Sequence, residues 1–194
     1  MRQGYALVAG IDEVGRGALA GPVMAAAIIL PGELEDSWLE SVRDSKLLTS
    51  RRREYLFELI QGKAVAFGIG TVPSDIIDAV GILHATRLAM RLAIEQLSPA
   101  PHFLLIDALR LPNLPIPQKG IIKGDRHCLS IACASILAKV TRDRLMSEMD
   151  FLHPGYGLAK NKGYGTQDHL ACLRRLDASP IHRKNFSPVR KQLL

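Results

Sequence analysis

Hydrophobic positions along this chain follow two spacings, and their order predicts an α/β fold. Apolar runs or apolar–polar alternations typical of strands occupy 5–11, 23–30, 64–72 and 103–106. Apolar residues recur at helical spacing in 49–60, 82–97, 128–149 and 166–176. The first two runs are close enough to pair as a hairpin, and 121–123 is a candidate edge strand. We therefore expect a sheet flanked by helices.

Charged residues and glycines directly follow the first apolar run. A buried strand normally ends before the first charged residue, so this arrangement is unusual. Asp12 and Glu13 come first, and then Gly15 and Gly17 flank Arg16. Carboxylates suit hard divalent cations, whereas glycine amides and an arginine suit a phosphate or a sugar. The alternative is a solvent-facing acidic strand end with a glycine turn. Because neighbouring strand residues point to opposite faces, both acids can reach one ion only if the strand ends or bulges at Glu13.

Two further carboxylates stand at the ends of predicted strands. Asp107 closes the apolar run 103–106, and Asp125 follows the candidate edge strand. If these strand ends converge with Asp12 and Glu13, the acids would repel one another unless cations lay between them. A magnesium or manganese pair there could activate water against a phosphodiester. Asp107 could instead begin a polar turn, and Asp125 could cap the following helix.

Several other polar residues allow two interpretations. Lys46 is predicted to lie in a loop, either as a free cation or as a phosphate contact. Tyr164 lies in a glycine-rich loop and could stack on a sugar or base, or rest on the core. Asp143 fits a helix-surface ion pair better than a metal ligand. Histidines 127, 153 and 169 lack metal-ligand spacing and are expected in loops or caps.

Composition indicates one domain, and its distribution of charge allows two interpretations. The net charge of +6 is uneven, because residues 1–138 hold 14 Lys or Arg and 14 Asp or Glu, whereas residues 139–194 hold 11 against 5. Such an excess fits a polyanion, although a solvated basic face would give the same count. The segment 180–186 is expected on the surface.

Segments that would direct the chain to a membrane or a secretory route are not evident. No run approaches 18 apolar residues and no signal region precedes the first strand, so we expect a cytoplasmic protein without membrane contact. The three cysteines lack a Cys-x-x-Cys spacing and are expected to be small core residues. No stretch demands a second copy, so we expect a monomer.

Taken in order, several short motifs closely resemble those of ribonuclease HII, the bacterial type 2 ribonuclease H. These motifs are Gly10-Ile11-Asp12-Glu13-Val14-Gly15-Arg16-Gly17, Arg43-Asp44-Ser45-Lys46, the strand end at Asp107, Lys123-Gly124-Asp125, the segment 134–143 and Asn161-Lys162-Gly163-Tyr164-Gly165-Thr166. The resemblance runs from about residue 5 to 190, and Pro180-Ile181-His182-Arg183 resembles the family's C-terminal segment.

The resemblance implies a ribonuclease H-like fold, in which a five-stranded mixed sheet is flanked by helices and followed by a small helical C-terminal part. Residues 1–150 would form the catalytic domain, and 151–194 would pack on it and carry the substrate-stacking tyrosine. The resemblance also makes four residues the catalytic carboxylates and ligands of Mn²⁺ or Mg²⁺, namely Asp12, Glu13, Asp107 and Asp125.

The same resemblance implies how substrate is bound. Gly15, Arg16 and Gly17 match the loop that recognises a ribose 2′-hydroxyl, the group that distinguishes RNA from DNA. Tyr164 matches the tyrosine that stacks on the neighbouring deoxyribose at an RNA–DNA junction, and Lys46 matches a phosphate-contacting lysine. The chain stops soon after its basic tail, which leaves contacts with a sliding clamp open.

The resemblance implies that the protein is an endoribonuclease. It would hydrolyse the RNA strand of RNA/DNA hybrids and cut 5′ of single ribonucleotides in duplex DNA, as in ribonucleotide excision repair, leaving 3′-hydroxyl and 5′-phosphate ends. Two alternatives stay open: another carboxylate-dependent DNA nuclease or strand-transfer enzyme on the same sheet, and a non-catalytic hybrid-binding module.

Overall fold

A five-stranded mixed sheet forms the centre of the molecule. The structure is a computed structural model, and it describes residues 4–34, 37–42 and 48–192. The strands are β1 (Val8–Val14), β2 (Val23–Ile29), β3 (Ala66–Val72), β4 (Phe103–Asp107) and β5 (Gln118–Ile121). Their order is β3-β2-β1-β4-β5, with β1, β2 and β3 antiparallel and β4 parallel to both β1 and β5. The predicted mixed sheet and its β1–β2 hairpin are therefore confirmed.

Helices lie between and after the strands, and the four longest lie close to where apolar spacing predicts them. They are α1 (Ser50–Lys63), α2 (Ser74–Val80), α3 (Ile82–Glu95), α4 (Gly124–His127), α5 (Leu129–Leu152), α6 (Leu158–Asn161), α7 (Gln167–Leu176) and α8 (Ser187–Arg190), and a 3₁₀ turn spans Ser37–Ser41. The hydroxyls of Thr49 and Thr166 accept backbone N–H bonds and cap α1 and α7. Among the described residues, no helix has both the length and the apolar character that crossing a bilayer requires.

The edge strand differs from its prediction by a few residues. Apolar residues at 121 and 122 favoured a strand over 121–123, but β5 ends at Ile121. Lys123 adopts a left-handed backbone conformation, with φ of 55°, and α4 begins at Gly124. The backbone therefore turns away from the sheet at this point.

Two hydrophobic cores enclose the sheet, one on each face. One core packs Ala9, Ile11 and the alternate residues of β2 against α2 and α3. The other packs Ala26 and Ile28 against α1 and α5. Cys133 is buried in this second core as expected, while Cys128 and Cys172 are partly exposed, and all three cysteines are free. Because both faces are covered, polar groups of β1 gain access to solvent only near the strand's end.

The C-terminal segment is more deeply buried than its basic sequence indicates. His182 pairs with Ala20 in an isolated antiparallel bridge, and His182 and Arg183 are almost fully enclosed. The guanidinium of Arg183 donates to the carbonyls of Gly21 and Arg16. The expectation that 180–186 lies on the surface is therefore wrong at these two positions. Their side chains are buried because backbone groups inside the protein supply their hydrogen-bond partners.

Arg142 joins three separate parts of the chain. Its side chain is fully buried on α5, where it donates to the carbonyls of Pro22, Ala20 and Lys162 at 3.0, 3.1 and 2.8 Å. A buried carbonyl that loses its hydrogen-bond donor destabilises the folded protein by its uncompensated desolvation free energy. Arg142 therefore holds the loop after β1 against the loop after α6.

Replacing Arg142 with Met should lower the free energy of unfolding by about 3–5 kcal/mol, because three backbone acceptors would lose their donor. Urea denaturation of the variant and the unchanged protein measures the difference.

Arg144→Met provides the matched control, since Arg144 lies two residues further along α5. It is about half exposed and pairs with Glu54 and Glu58 at the surface. Its loss should cost less than about 1 kcal/mol. Equal destabilisation by both substitutions would contradict the role given to Arg142.

Candidate active site

Asp12 and Asp107 lie side by side at the carboxyl ends of neighbouring parallel strands. Ile11 is in register with Ile106, so the next residue of each strand is an aspartate. Asp12 is 6% exposed, and its Oδ1 accepts the backbone N–H of Glu13 at 2.8 Å. The Asp12 carboxylate is also hydrogen-bonded by the side chain of Ser135 from α5. Burial and parallel pairing thus place this carboxylate at the point where the sheet opens to solvent.

Glu13 follows Asp12 without a break in the strand. Pairing with β2 stays regular through Val14, and Glu13 lies opposite Ala25. The Glu13 side chain therefore leaves the strand on the face opposite to that of Asp12. The bulge or strand end considered for Glu13 does not occur at this residue. Its Oε1 accepts from Arg16 at 3.0 Å, and its buried Oε2 has no hydrogen-bond partner.

Asp107 and Asp125 are connected through the backbone of α4. Asp107 Oδ1 accepts the N–H of Gly124 at 2.7 Å, and Asp125 is the next residue, 8% exposed. A Cβ on Gly124 would lie 2.5 Å from Cδ1 of Ile131, so a larger residue here would require the Ile131 side chain to shift. Asp125 does not cap a helix, because the capping positions of α4 and α5 are Lys123 and Cys128.

The surroundings of Asp12 and Glu13 disfavour the charged forms of their carboxyl groups. Burial raises the pKa of Asp12 to about 8, and the charges of Glu13 and Asp107 add to the increase. Burial also raises the pKa of Glu13, although the hydrogen bond and charge of Arg16 oppose that shift. Such groups are stable as carboxylates only when positive charge is supplied nearby.

The donor set fits a hard divalent cation. It is made of carboxylate oxygens, and it includes the unpartnered, buried Oε2 of Glu13. Within 4–34, 37–42 and 48–192, however, no three Asp, Glu, His or Cys side chains are grouped closely enough to hold an ion as they stand. Binding would therefore require the acids to turn toward one another.

The glycine-flanked Arg16 lies in a tight turn beside the acids. Ala18 N–H donates to the Gly15 carbonyl at 3.2 Å, and Gly15 has φ of 88°. A Cβ on Gly15 would lie 2.3 Å from Nε of Arg142, whereas the Cβ position of Gly17 faces open space. Arg16 is itself exposed, so one side of this turn is fixed by the core and the other faces solvent.

Tyr164 is held next to this turn by backbone hydrogen bonds. The carbonyl of Gly163 accepts from the N–H groups of Leu19 and Ala20 at 2.7 and 3.3 Å. The partly exposed ring of Tyr164 has the Arg142 guanidinium 5.5 Å from its centre. The structure thus brings Tyr164 and the 15–17 turn together, whereas Lys46 lies outside the described residues.

Sequence reasoning missed three polar residues that build this site: Ser135, Arg142 and Arg183. Arg142 could have been found, because Ala138, Arg142 and Met146 share one buried face of α5 at four-residue spacing. An arginine on such a face must find acceptors inside the protein. Asp143, by contrast, forms an ion pair with Lys139 on the helix, as predicted.

Comparison with solved structures defines the class of fold. The crystal structure of ribonuclease H2 from Pyrococcus horikoshii is similar with a TM-score of 0.79 and 25% sequence identity, covering 96% of each chain. A Bst ribonuclease HIII in complex with Mn²⁺ has a TM-score of 0.69 at 17% identity, covering 99% of this chain and 70% of that one. The fold is that of the type 2 ribonucleases H.

Comparison of sequences identifies the family. The family model described as Ribonuclease HII matches residues 9–189. Ribonuclease HII of Dehalococcoides mccartyi is 56% identical over 97% of this chain and 89% of its own length. This chain belongs to the ribonuclease HII family, and it is an endoribonuclease of RNA/DNA hybrids.

Asp12→Asn should stabilise the protein when divalent metal is absent. Between about pH 4 and about pH 8 the folded protein holds a proton on Asp12 that the unfolded chain releases, so unfolding becomes easier as pH rises through this range. The neutral amide removes that dependence. At pH values above the range, Asp12→Asn should raise the free energy of unfolding by about 1–3 kcal/mol in chelator.

Thermal unfolding in chelator at several pH values measures this effect. Glu95→Gln, at the exposed end of α3, is the control and should change stability by less than about 0.5 kcal/mol. Added Mn²⁺ should raise the melting temperature of the unchanged protein more than that of Asp12→Asn. A melting temperature that is insensitive to both the substitution and the metal would contradict the electrostatic account.

Proposed function

We propose that this protein hydrolyses the RNA strand of RNA/DNA hybrids and cuts on the 5′ side of single ribonucleotides in duplex DNA. Asp12, Glu13, Asp107 and Asp125 would hold Mg²⁺ or Mn²⁺ for this reaction. The observation that carries the proposal is the meeting of two features at one edge of the sheet. Buried carboxylates with raised pKa lie beside an exposed glycine turn that is tied to the loop of Tyr164.

The carboxylates provide the reaction centre. Asp12 is oriented by Ser135 and by the Glu13 amide, and Asp107 by the Gly124 amide, so neither depends on a mobile loop for its position. When bound, Mg²⁺ or Mn²⁺ supplies an activated water and stabilises the leaving oxygen of the phosphodiester. Cleavage of the bond between phosphorus and the 3′ oxygen leaves a 3′-hydroxyl and a 5′-phosphate.

The Gly15–Gly17 turn would read the ribose. The Cβ position of Gly17 faces open space, so a sugar can approach its backbone closely. A 2′-hydroxyl both donates and accepts, and a backbone turn offers both complementary groups. The carbonyl of Arg16 is fixed by Arg183 at 2.9 Å, which keeps the turn in one conformation.

Tyr164 would provide the second contact, by stacking on the sugar that follows the ribonucleotide. The loop of Tyr164 and the turn are joined through Gly163, Leu19 and Ala20, so the two contacts have a fixed separation. A fixed separation lets a single ribonucleotide be recognised by its position next to a deoxyribose.

Other features of the proposal come from the family resemblance or from the sequence, and not from the geometry of the carboxylates. We infer that Lys46 contacts a substrate phosphate and that the protein acts in the cytoplasm as a monomer in ribonucleotide excision repair. We also infer that 1–150 and 151–194 act as catalytic domain and C-terminal part. The bonds of Arg142 and Arg183 across this division support their working as one unit.

An end-labelled DNA duplex with one ribonucleotide, compared with an all-DNA duplex, tests the reaction. We expect cleavage 5′ to the ribonucleotide, only with Mg²⁺ or Mn²⁺, and none of the all-DNA duplex. Cleavage of both duplexes would support a DNA nuclease or strand-transfer enzyme instead. Metal-independent binding without cleavage would support a hybrid-binding module.

Asp107→Asn should lower turnover of the ribonucleotide duplex by about 1,000-fold or more, because several kcal/mol of transition-state stabilisation is lost. Binding measured by fluorescence anisotropy should stay within about threefold, since phosphate contacts dominate affinity. Asp168→Asn is the control: it removes an exposed carboxylate paired with Lys160 and should leave turnover unchanged. Near-normal turnover by Asp107→Asn would refute the assigned centre.

Tyr164→Ala should reduce kcat/KM on the ribonucleotide duplex by about 10–100-fold, whereas Tyr164→Phe should stay within about threefold, because the ring rather than the hydroxyl makes the stacking contact. Equal losses in the two variants would show that the hydroxyl, and not the ring, is needed.

A further inference from the structure

Two buried histidines lie directly behind Tyr164, and the proposed chemistry does not use them. His169, in the first turn of α7, and His182, in the C-terminal segment, are 0% and 1% exposed. Their Nε2 atoms are 3.1 Å apart. Sequence spacing placed His169 in a loop or a cap, but its ring is enclosed between the Tyr164 loop and the C-terminal segment.

The surrounding donors fix which nitrogen of each ring carries hydrogen. The backbone N–H of Ser179 points at Nδ1 of His182 from 3.1 Å, so this nitrogen must accept, and the Ser179 hydroxyl lies 2.8 Å from the same atom. His182 therefore carries its hydrogen on Nε2 and donates to Nε2 of His169. His169 must then carry its hydrogen on Nδ1, where the Tyr164 carbonyl accepts at 2.9 Å.

The result is a chain of hydrogen bonds with one direction, which we call the histidine relay. It runs from Ser179 through His182 and His169 to the carbonyl of Tyr164. Both rings must be neutral for this arrangement, because a proton on either free nitrogen would place two donors face to face.

The histidine relay is connected to one short segment at two points, through the loop of Tyr164 and through His182. Gly163, just before Tyr164, accepts from Leu19 and Ala20, and His182 pairs with Ala20 in an antiparallel bridge. Leu19 and Ala20 directly continue the Gly15–Ala18 turn. The relay therefore closes a ring of contacts that sets the distance between Tyr164 and this turn.

We propose that His169 and His182 are positioning residues that place Tyr164 against the ribose-reading turn and so determine preference for an RNA–DNA junction. This inference rests on the proposed function of Tyr164. Neither histidine touches substrate. They act through the carbonyl of Tyr164, which also accepts from the N–H of Thr166 at 2.8 Å.

Burial keeps the two rings neutral. It lowers the pKa of His169, and together with the neighbouring His169 it lowers the pKa of His182 to about 4. Besides each other, the rings face Tyr156, whose ring centre lies 4.8 Å from that of His182, and the charge of His153 also acts on His182. The histidine relay is therefore intact at neutral pH.

A matched pair of substitutions at His169 tests the proposal. The amide nitrogen of Asn lies where Nδ1 of histidine lies, so His169→Asn keeps a donor to Tyr164. The amide of Gln lies where Nε2 lies, so His169→Gln keeps a partner for His182 and loses the donor to Tyr164. The readout is the ratio of kcat/KM on a single-ribonucleotide duplex to that on a uniform RNA/DNA hybrid.

We expect His169→Gln to lower this ratio about 10-fold or more and His169→Asn to stay within about threefold of the unchanged protein. In a Tyr164→Ala background, His169→Gln should have no further effect on the ratio. His102→Gln, at an exposed position before β4, is the control. If His169→Gln instead lowered activity on both substrates equally, the ratio would not change. That result would indicate a folding defect and would overturn the proposal.

Nitrogen-15 NMR of the unchanged protein provides a test without substitutions. We expect hydrogen on Nδ1 of His169 and on Nε2 of His182, and the reverse pattern or a charged ring would overturn the relay. Tyr164→Ala with a normal substrate ratio would refute the proposed role of Tyr164. A Tyr164→Ala defect with an unaffected His169→Gln would refute the relay alone.

Discussion

The buried guanidinium of Arg142 is the interaction on which the candidate site depends. It satisfies carbonyls from two loops that are far apart in sequence, and it leaves no room for a side chain at Gly15. Arg183 acts in the same way from the C-terminal side, through Arg16 and Gly21. Burial lowers the pKa of both arginines, and each guanidinium donates to backbone carbonyls in place of water. Such geometry gives a rigid frame for the exposed groups around it.

The acids at the sheet edge differ from the buried arginines, because their surroundings do not stabilise their charged forms. Their positions are set by strand register and by backbone N–H donors, yet burial first, and then their proximity, disfavours the charged carboxylates, as the raised pKa of Asp12 shows. Natural sites commonly retain such unfavourable groups where chemistry requires them. The cationic frame and the acidic edge are therefore complementary: one stabilises the shape of the loops, and the other gathers buried carboxylates at one edge of the sheet.

Much of the fold followed from local pattern. Apolar runs predicted β1, β2 and β4, and the sequence placed Asp107 at a strand end, while its place beside Asp12 comes from the parallel pairing of β1 with β4. What could not be predicted depends on long-range contacts. Counting charge along 139–194 treats every cation as exposed, whereas Arg142 and Arg183 are enclosed and bond to carbonyls contributed by distant loops. The pairing of His169 with His182 is equally invisible in sequence, because it depends on how the last segment folds back.

The bond between Arg183 and Arg16 also has a consequence for how the enzyme is made. It joins residues 167 positions apart, so the turn proposed to read the ribose is completed only after nearly the whole chain has left the ribosome. Local helices and the β1–β2 hairpin can form early, but contacts of such long sequence separation form late and slowly. A nascent or truncated chain would thus carry its acidic edge before it carries a finished recognition surface.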